Sequence, residues 1–229
     1  MAKFHFVEDY ERYVADLIRD HPIDTAMSLA VGGSYDAVGA IECAILRHAG
    51  LMPGQAVVDL GCGSGRLAVA LARDLDVSYL GLDVVPALLD YARTKAPKSY
   101  KFVLNRSLSL PLEARSVDVL CAFSVFTHLL HAETYLYLEE AHRCLRPGGR
   151  VVMSFLEFAM PQHWRVFEQT VATQRASTVP HLNQFIERNQ IVVWAERLGY
   201  TGVDFIDGHL APWTSGEPLG QSLAILRKD

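Results

Sequence analysis

The spacing of apolar positions changes character twice along the chain. From about residue 5 to residue 50 they recur at three- and four-residue steps. Val7, Tyr10, Tyr13, Val14 and Leu17 share one face, and residues 37–48 repeat the pattern. This stretch is expected to be helical. At Ala56 the period collapses into a short apolar run, Ala56-Val57-Val58-Asp59-Leu60, which ends in glycines and opens into a helical pattern over 67–75. Strand-like runs follow at 77–82, 100–104, 117–123 and 151–155. Helical patterns separate them at 86–95, where Pro86 suits a first turn, and at 132–145, closed by Pro147-Gly148-Gly149. Beyond Phe155 the rhythm loosens. Residues 161–173 and 182–198 are expected as helices, 203–206 and 222–226 as closing strands, and His209 to Gly220, with Trp213, as a loop.

Strand and helix alternating in this way predict a parallel sheet joined by crossover helices. The strands are almost continuously apolar, as they must be when helices cover both faces. The expected fold class is α/β, a doubly wound single domain. Residues 1–50 form a helical N-terminal cover over a core of 51–229.

Composition narrows the picture. A chain of 229 residues, half of them hydrophobic, can bury a full core. The formal charge of −5, with 26 acidic against 21 basic residues, argues against a nucleic-acid partner, which needs a basic face. Arg143, Arg146 and Arg150 form a local basic cluster, read as the polar end of a helix and its turn. No uncharged run approaches the ~20 apolar residues of a membrane span. The first residues lack the apolar core and cleavage site of a signal peptide, so a cytoplasmic protein with no membrane partner is expected. Cys43, Cys62, Cys121 and Cys144 are scattered without metal-ligand spacing, so buried thiols and no metal are expected.

The chemistry concentrates in Val57-Val58-Asp59-Leu60-Gly61-Cys62-Gly63-Ser64-Gly65-Arg66, a strand entering a glycine-rich turn and then a helix. In open α/β sheets ligands bind at this carboxyl edge. Gly61 and Gly63 permit the turn and a close ligand approach, and the following helix offers N–H groups. The dinucleotide fingerprint needs a third glycine where Arg66 stands, and the P-loop ending Gly-Lys-Ser/Thr is absent. A ligand without pyrophosphate fits better. About twenty residues on, the second strand ends in Gly81-Leu82-Asp83, whose carboxylate can accept from both hydroxyls of a ribose.

With these residues the chain resembles the class I S-adenosylmethionine-dependent methyltransferases, of the type 11/12-like kind. The resemblance rests on residues 57–65 and 81–93, on Leu110-Pro111-Leu112, on Ser116-Val117-Asp118-Val119 and on Leu145-Arg146-Pro147-Gly148-Gly149-Arg150-Val151, in the family's order. It implies a seven-stranded sheet with the last strand antiparallel. It also implies that Gly61, Cys62 and Gly63 line the amino-acid part of S-adenosylmethionine, with Asp59 holding the loop or the amino group. Asp83 would take the ribose and Val84 would lie beside the adenine. The family often has an acidic residue near the adenine amino group. Here Asn105-Arg106-Ser107-Leu108 departs from that, leaving adenine to Asn105 or to backbone at Ser107 and Leu108.

Methyl transfer from a sulfonium is an in-line displacement that needs alignment and exclusion of water more than a signature residue. The segment after the fourth strand, Ala122-Phe123-Ser124-Val125-Phe126-Thr127-His128, shares the edge of the glycine loop. The resemblance sets Ser124 against the methionine end. His128 stands as candidate general base for a hydroxyl or amine acceptor, with helix packing as its alternative. Tyr35, after Gly32-Gly33-Ser34, and Trp164, beyond Phe158, are candidate acceptor contacts. Glu157 is a second possible base, and His131 reads as a helix-start surface residue. The expected activity is methyl transfer to a small-molecule acceptor, leaving S-adenosylhomocysteine. A non-catalytic S-adenosylmethionine-binding module and a nicotinamide-dependent oxidoreductase are the competing readings.

Overall fold

The computed structural model describes residues 7–176, 183–214 and 216–229. Three helices open the chain: α1 (Val7–Asp20), α2 (Ile23–Ala30) and α3 (Tyr35–His48). The pattern along the sequence suggested two. Pro22 separates α1 from α2, and Gly32 and Gly33, both at positive φ, turn the chain between α2 and α3. Strands and helices then alternate: β1 (Ala56–Leu60), α4 (Arg66–Asp74), β2 (Ser78–Asp83), α5 (Pro86–Lys95), β3 (Lys101–Leu104), β4 (Val117–Ala122), α6 (His131–Cys144) and β5 (Leu145–Phe155). The chain continues through α7 (Pro161–Arg175), α8 (Arg188–Leu198), β6 (Gly202–Ile206) and β7 (Ser222–Arg227).

One seven-stranded sheet runs β3-β2-β1-β4-β5-β7-β6, with β7 antiparallel to both neighbours and the remaining pairs parallel. The order reverses direction between β1 and β4, the topological switch point where such sheets take ligands. Two apolar layers sandwich the sheet. Val58, Leu120, Met153 and Leu226 point into one with Leu138 of α6 and Ile191 of α8. Val57, Val119, Val152 and Ile225 point into the other with Leu46 of α3 and Leu67 and Leu71 of α4. Burial on both faces explains why these strands carry no polar alternation. The doubly wound, mostly parallel sheet is the expected fold class.

Two boundaries differ clearly from the sequence reading. Strand β5 starts at Leu145, straight after α6, because Gly148 (φ +80°) permits a bulge between the Val117–Leu145 and Val119–Arg150 pairs. Helix α8 starts at Arg188 instead of residue 182; Leu182 lies outside the described residues, and Phe185 bridges Leu156 in extended form. The arginine cluster is spent internally: Arg143 on Glu140 (2.8 Å), Arg146 on Asp118 (2.6 Å) and Arg150 on the Ala49 carbonyl (2.5 Å). The four cysteines are buried free thiols. Among the described residues no single helix is long and apolar enough to cross a membrane, though α2 and α3, bent by 43°, pass together on length and composition.

Candidate functional site

The carboxyl ends of β1, β2 and β4 and the start of antiparallel β7 meet along one edge of the sheet. A cavity of about 560 Å³ opens there, within the ~300–1,000 Å³ of small-molecule sites. Its floor is Asp59, Leu60 and the loop Gly61-Cys62-Gly63. Gly61 (φ +72°) and Gly63 (φ +55°) adopt left-handed conformations, and a Cβ on either would meet Val125 at 2.4 Å or Val31 at 2.6 Å. No other residue type fits this cradle without displacing its roof.

The loop's own amides are already committed. Gly61 and Cys62 N–H both donate to the Leu82 carbonyl, Gly65 N–H to the Cys62 carbonyl, and Gly63 N–H to Asp83 Oδ2 at 2.8 Å. A phosphate would find no nest of free N–H groups at these four positions. Asp83 also accepts from Val85 N–H at 2.9 Å through Oδ1, and burial pushes its carboxyl above the ordinary value. Two backbone donors thus aim both oxygens, leaving lone pairs for a ligand.

Asp59, 3 % exposed, accepts the Tyr79 hydroxyl at 2.6 Å and lies 3.6 Å from the Cys121 thiol. Burial dominates and raises its pKa to about 7. Beside it Arg66, first residue of α4, donates to Glu42 of α3 at 2.5 and 2.9 Å and to the Val31 carbonyl at 2.6 Å. The cavity wall therefore carries four carboxylates, Asp9, Glu42, Asp59 and Asp83, against one guanidinium that is already bonded. This charge suits a cationic ligand and opposes a pyrophosphate.

The cavity is lined by the expected Asp59, Gly61, Cys62, Gly63, Asp83, Val84, Ser124 and His128. Five other expectations need correction. Tyr35 does not line it; its hydroxyl is tied to the Ser64 carbonyl (2.9 Å), docking α3 on the glycine loop. Trp164 lies outside, 45 % exposed, in a ring cluster with Phe158 and Phe167, its indole N–H on Glu168. Ser107 and Leu108 also lie outside. The Ser107 carbonyl takes the Tyr137 hydroxyl (2.8 Å), Leu108 packs on the core, and Asn105 faces the cavity instead. Glu157 is occupied: Arg188 grips it at 2.8 and 2.9 Å and Ser222 donates at 2.5 Å. His131 is half-buried, not a surface residue, and joins Gln184, Gln190 and the Phe185 carbonyl.

Several lining residues escaped the sequence reading. Tyr10 and Tyr13 of α1, stacked at 6.2 Å, wall one side, and the Tyr10 hydroxyl donates to the Ala30 carbonyl at 2.7 Å. Their three-residue spacing was visible, their direction was not. Arg106 holds this wall down, donating to the Val84 carbonyl and pairing with Glu11 of α1. Gln221, just before β7, lines the opposite end, and no local signal marks it.

Known proteins share part of this sequence and its fold. Residues 58–153 match a family model described as a methyltransferase domain. The malonyl-acyl-carrier-protein O-methyltransferase of Serratia marcescens is 28% identical over 180 residues, 77% of this chain and 67% of that protein. A biotin biosynthesis bifunctional protein of Cellvibrio japonicus is 25% identical over 207 residues, 88% of this chain but only 39% of its own length. This chain therefore spans well under half of one relative and about two thirds of the other. The magnesium protoporphyrin IX methyltransferase of Synechocystis, solved with bound S-adenosylhomocysteine, shares the fold at a TM-score of 0.64 and 16% identity, over 97% of each chain. Residues 58–153 are thus a methyltransferase domain, on the fold that class I S-adenosylmethionine-dependent methyltransferases share.

Proposed function

We propose that the chain transfers the methyl group of S-adenosylmethionine to an acceptor held at the Ser124–His128–Gln221 end of the cavity, and that the acceptor is a small molecule. The observation that carries this reading is the cavity's polarity: carboxylates along the floor, loop amides spent internally, and uncharged hydrogen-bonding groups with one histidine at the far end. Bound there, S-adenosylmethionine supplies an electrophilic methyl on a sulfonium.

The chain's residues divide the remaining work. Asp83, aimed by the Gly63 and Val85 amides, accepts from the ribose hydroxyls, with Val84 and Asn105 next to the base. Asp59 faces the cationic part over the glycine turn. Helix α1 closes the side, its tyrosines displacing water so that the charges act in a low dielectric. His128 takes a proton from an acceptor that must lose one. One relative is named for an O-methylation, which puts an oxygen acceptor first among the candidates.

Parallel calorimetric titration with S-adenosylmethionine, S-adenosylhomocysteine and NAD tests the reading. Micromolar binding of the two adenosyl sulfur compounds, no binding of NAD, and turnover with at least one small oxygen acceptor are expected. NAD binding alone would overturn it.

A further inference from the structure

A closed ring of three hydrogen bonds spans the far end of the cavity. Ser124, two residues past β4, stands at φ +57°, a left-handed conformation that a non-glycine residue keeps only when its surroundings hold it. Its N–H donates to Oγ of the fully buried Ser154, on β5, at 2.7 Å. Ser154 passes its own proton to Gln221 Oε1, also at 2.7 Å. That turns the Gln221 amide so that Nε2 donates back to Ser124 Oγ at 3.0 Å. The buried Ser154 hydroxyl has Gln221 Oε1 as its acceptor among the described residues, and placing its proton there sets the amide orientation.

Two protons remain over, the Ser124 hydroxyl proton and the second N–H of Gln221. Among the described residues neither has a partner, and both side chains line the cavity. The sheet order says what they face. Asp83 ends β2, the glycine loop follows β1, Ser124 follows β4, Ser154 lies on β5 and Gln221 immediately precedes β7, in that spatial sequence. The ring therefore lies beyond the glycine loop, on the side away from Asp83 and next to His128. Two adjacent donors on a rigid ring match the lone pairs of an anionic oxygen, to which hydrogen bonds are strongest.

We infer that Ser124 and Gln221 form an acceptor-binding pair that holds a carboxylate, and that the ring keeps both donors aimed at it. This deepens the proposed function and rests on it. The same chemistry could serve the carboxylate at the amino-acid end of the cofactor, and the experiment separates the two sources.

The protein saturated with S-adenosylhomocysteine is titrated with benzoate and malonate, and with benzamide and malonamide as uncharged counterparts. The wild type is expected to favour each acid over its amide at least tenfold. Gln221→Glu, which replaces a donor by a like charge, should abolish that preference while changing S-adenosylhomocysteine affinity less than threefold. Ser124→Gly, which keeps the left-handed backbone and removes only the hydroxyl, should lower acid affinity in the same direction and serves if the first variant does not fold. Equal binding of acids and amides, or no binding of the acids, overturns the inference. So does a loss of S-adenosylhomocysteine affinity in Gln221→Glu that matches the loss for benzoate, since the ring would then serve the cofactor. A wild type that binds no S-adenosylhomocysteine would bring down the proposed function itself, a separate result.

Discussion

Asp83 performs two tasks with one carboxylate: it closes the glycine turn through Gly63 N–H and offers its remaining lone pairs to the cavity. Hydrogen bonds to a charged group contribute about 1.5–3 kcal/mol, so Asp83→Ala should weaken S-adenosylmethionine binding at least tenfold. The same change strands two buried backbone donors, at roughly 1–3 kcal/mol each, so the variant should also melt earlier while remaining folded. Calorimetry beside thermal melting reads both effects, and wild-type affinity in the folded variant would remove the ribose assignment. His128 offers a contrasting case, because it lines the acceptor end and not the floor. His128→Ala is expected to lower turnover by ~10²–10⁴ if it serves as base, with S-adenosylhomocysteine affinity unchanged. Full turnover would relegate it to packing.

Helices α3 and α4 are joined by a contact that neither could form alone. Glu42 is 2 % exposed and its carboxylate takes Arg66, whose free Nη1 secures the Val31 carbonyl in the α2–α3 turn. Burial raises the Glu42 carboxyl and Arg66 opposes that shift. Removing one partner leaves the other charge buried, at about 3–5 kcal/mol, whereas replacing both by apolar side chains is often nearly neutral. Glu42→Leu and Arg66→Met should each destabilise strongly in urea titrations, and the double variant should be more stable than their sum; simple additivity would mean the residues act independently. The same elements mark where the sequence was legible. Helix α5 runs over the predicted 86–95 because Pro86 punctuates its start, and β1, β2 and β4 stand out as apolar runs ended by glycine, aspartate or serine. Their carboxyl ends converge on one edge, which is why Asp59, Gly61, Asp83, Ser124 and His128 could be read together. Gln221 could not, because β7 runs backwards and brings its amino end to that edge. Tyr35 and Trp164 misled because an aromatic a few residues past a glycine pair or a proline does not reveal which way its ring turns. Tyr10 and Tyr13 reach the cavity only through tertiary packing, with Arg106 bridging ninety-five residues to Glu11.

For the whole molecule, charge is the property the site exploits. The chain carries −5 overall, and its cavity concentrates carboxylates around a ligand whose sulfonium and ammonium are positive. Asp59 is the group through which pH should reach this balance. Burial lifts it to about 7; Glu42 of α3 adds to the rise, while Tyr79 of β2, Cys121 of β4 and Arg66 of α4 oppose it. The native state therefore keeps a proton that the unfolded chain releases near its ordinary value of 3.8. The stability from this group is complete below that value and is lost as pH rises through about 7. A cationic ligand favours the ionised carboxylate, so binding should expel the proton, and S-adenosylmethionine affinity should rise with pH across the same window. Calorimetry at pH 6 in two buffers of different ionisation enthalpy should report release approaching one proton, falling toward none at pH 8.5. The isosteric Asp59→Asn has no proton to lose there, so its binding heats should agree in both buffers. Buffer-independent heats in the wild type would mean that Asp59 keeps one protonation state through binding, and the pH dependence would then have to come from another group.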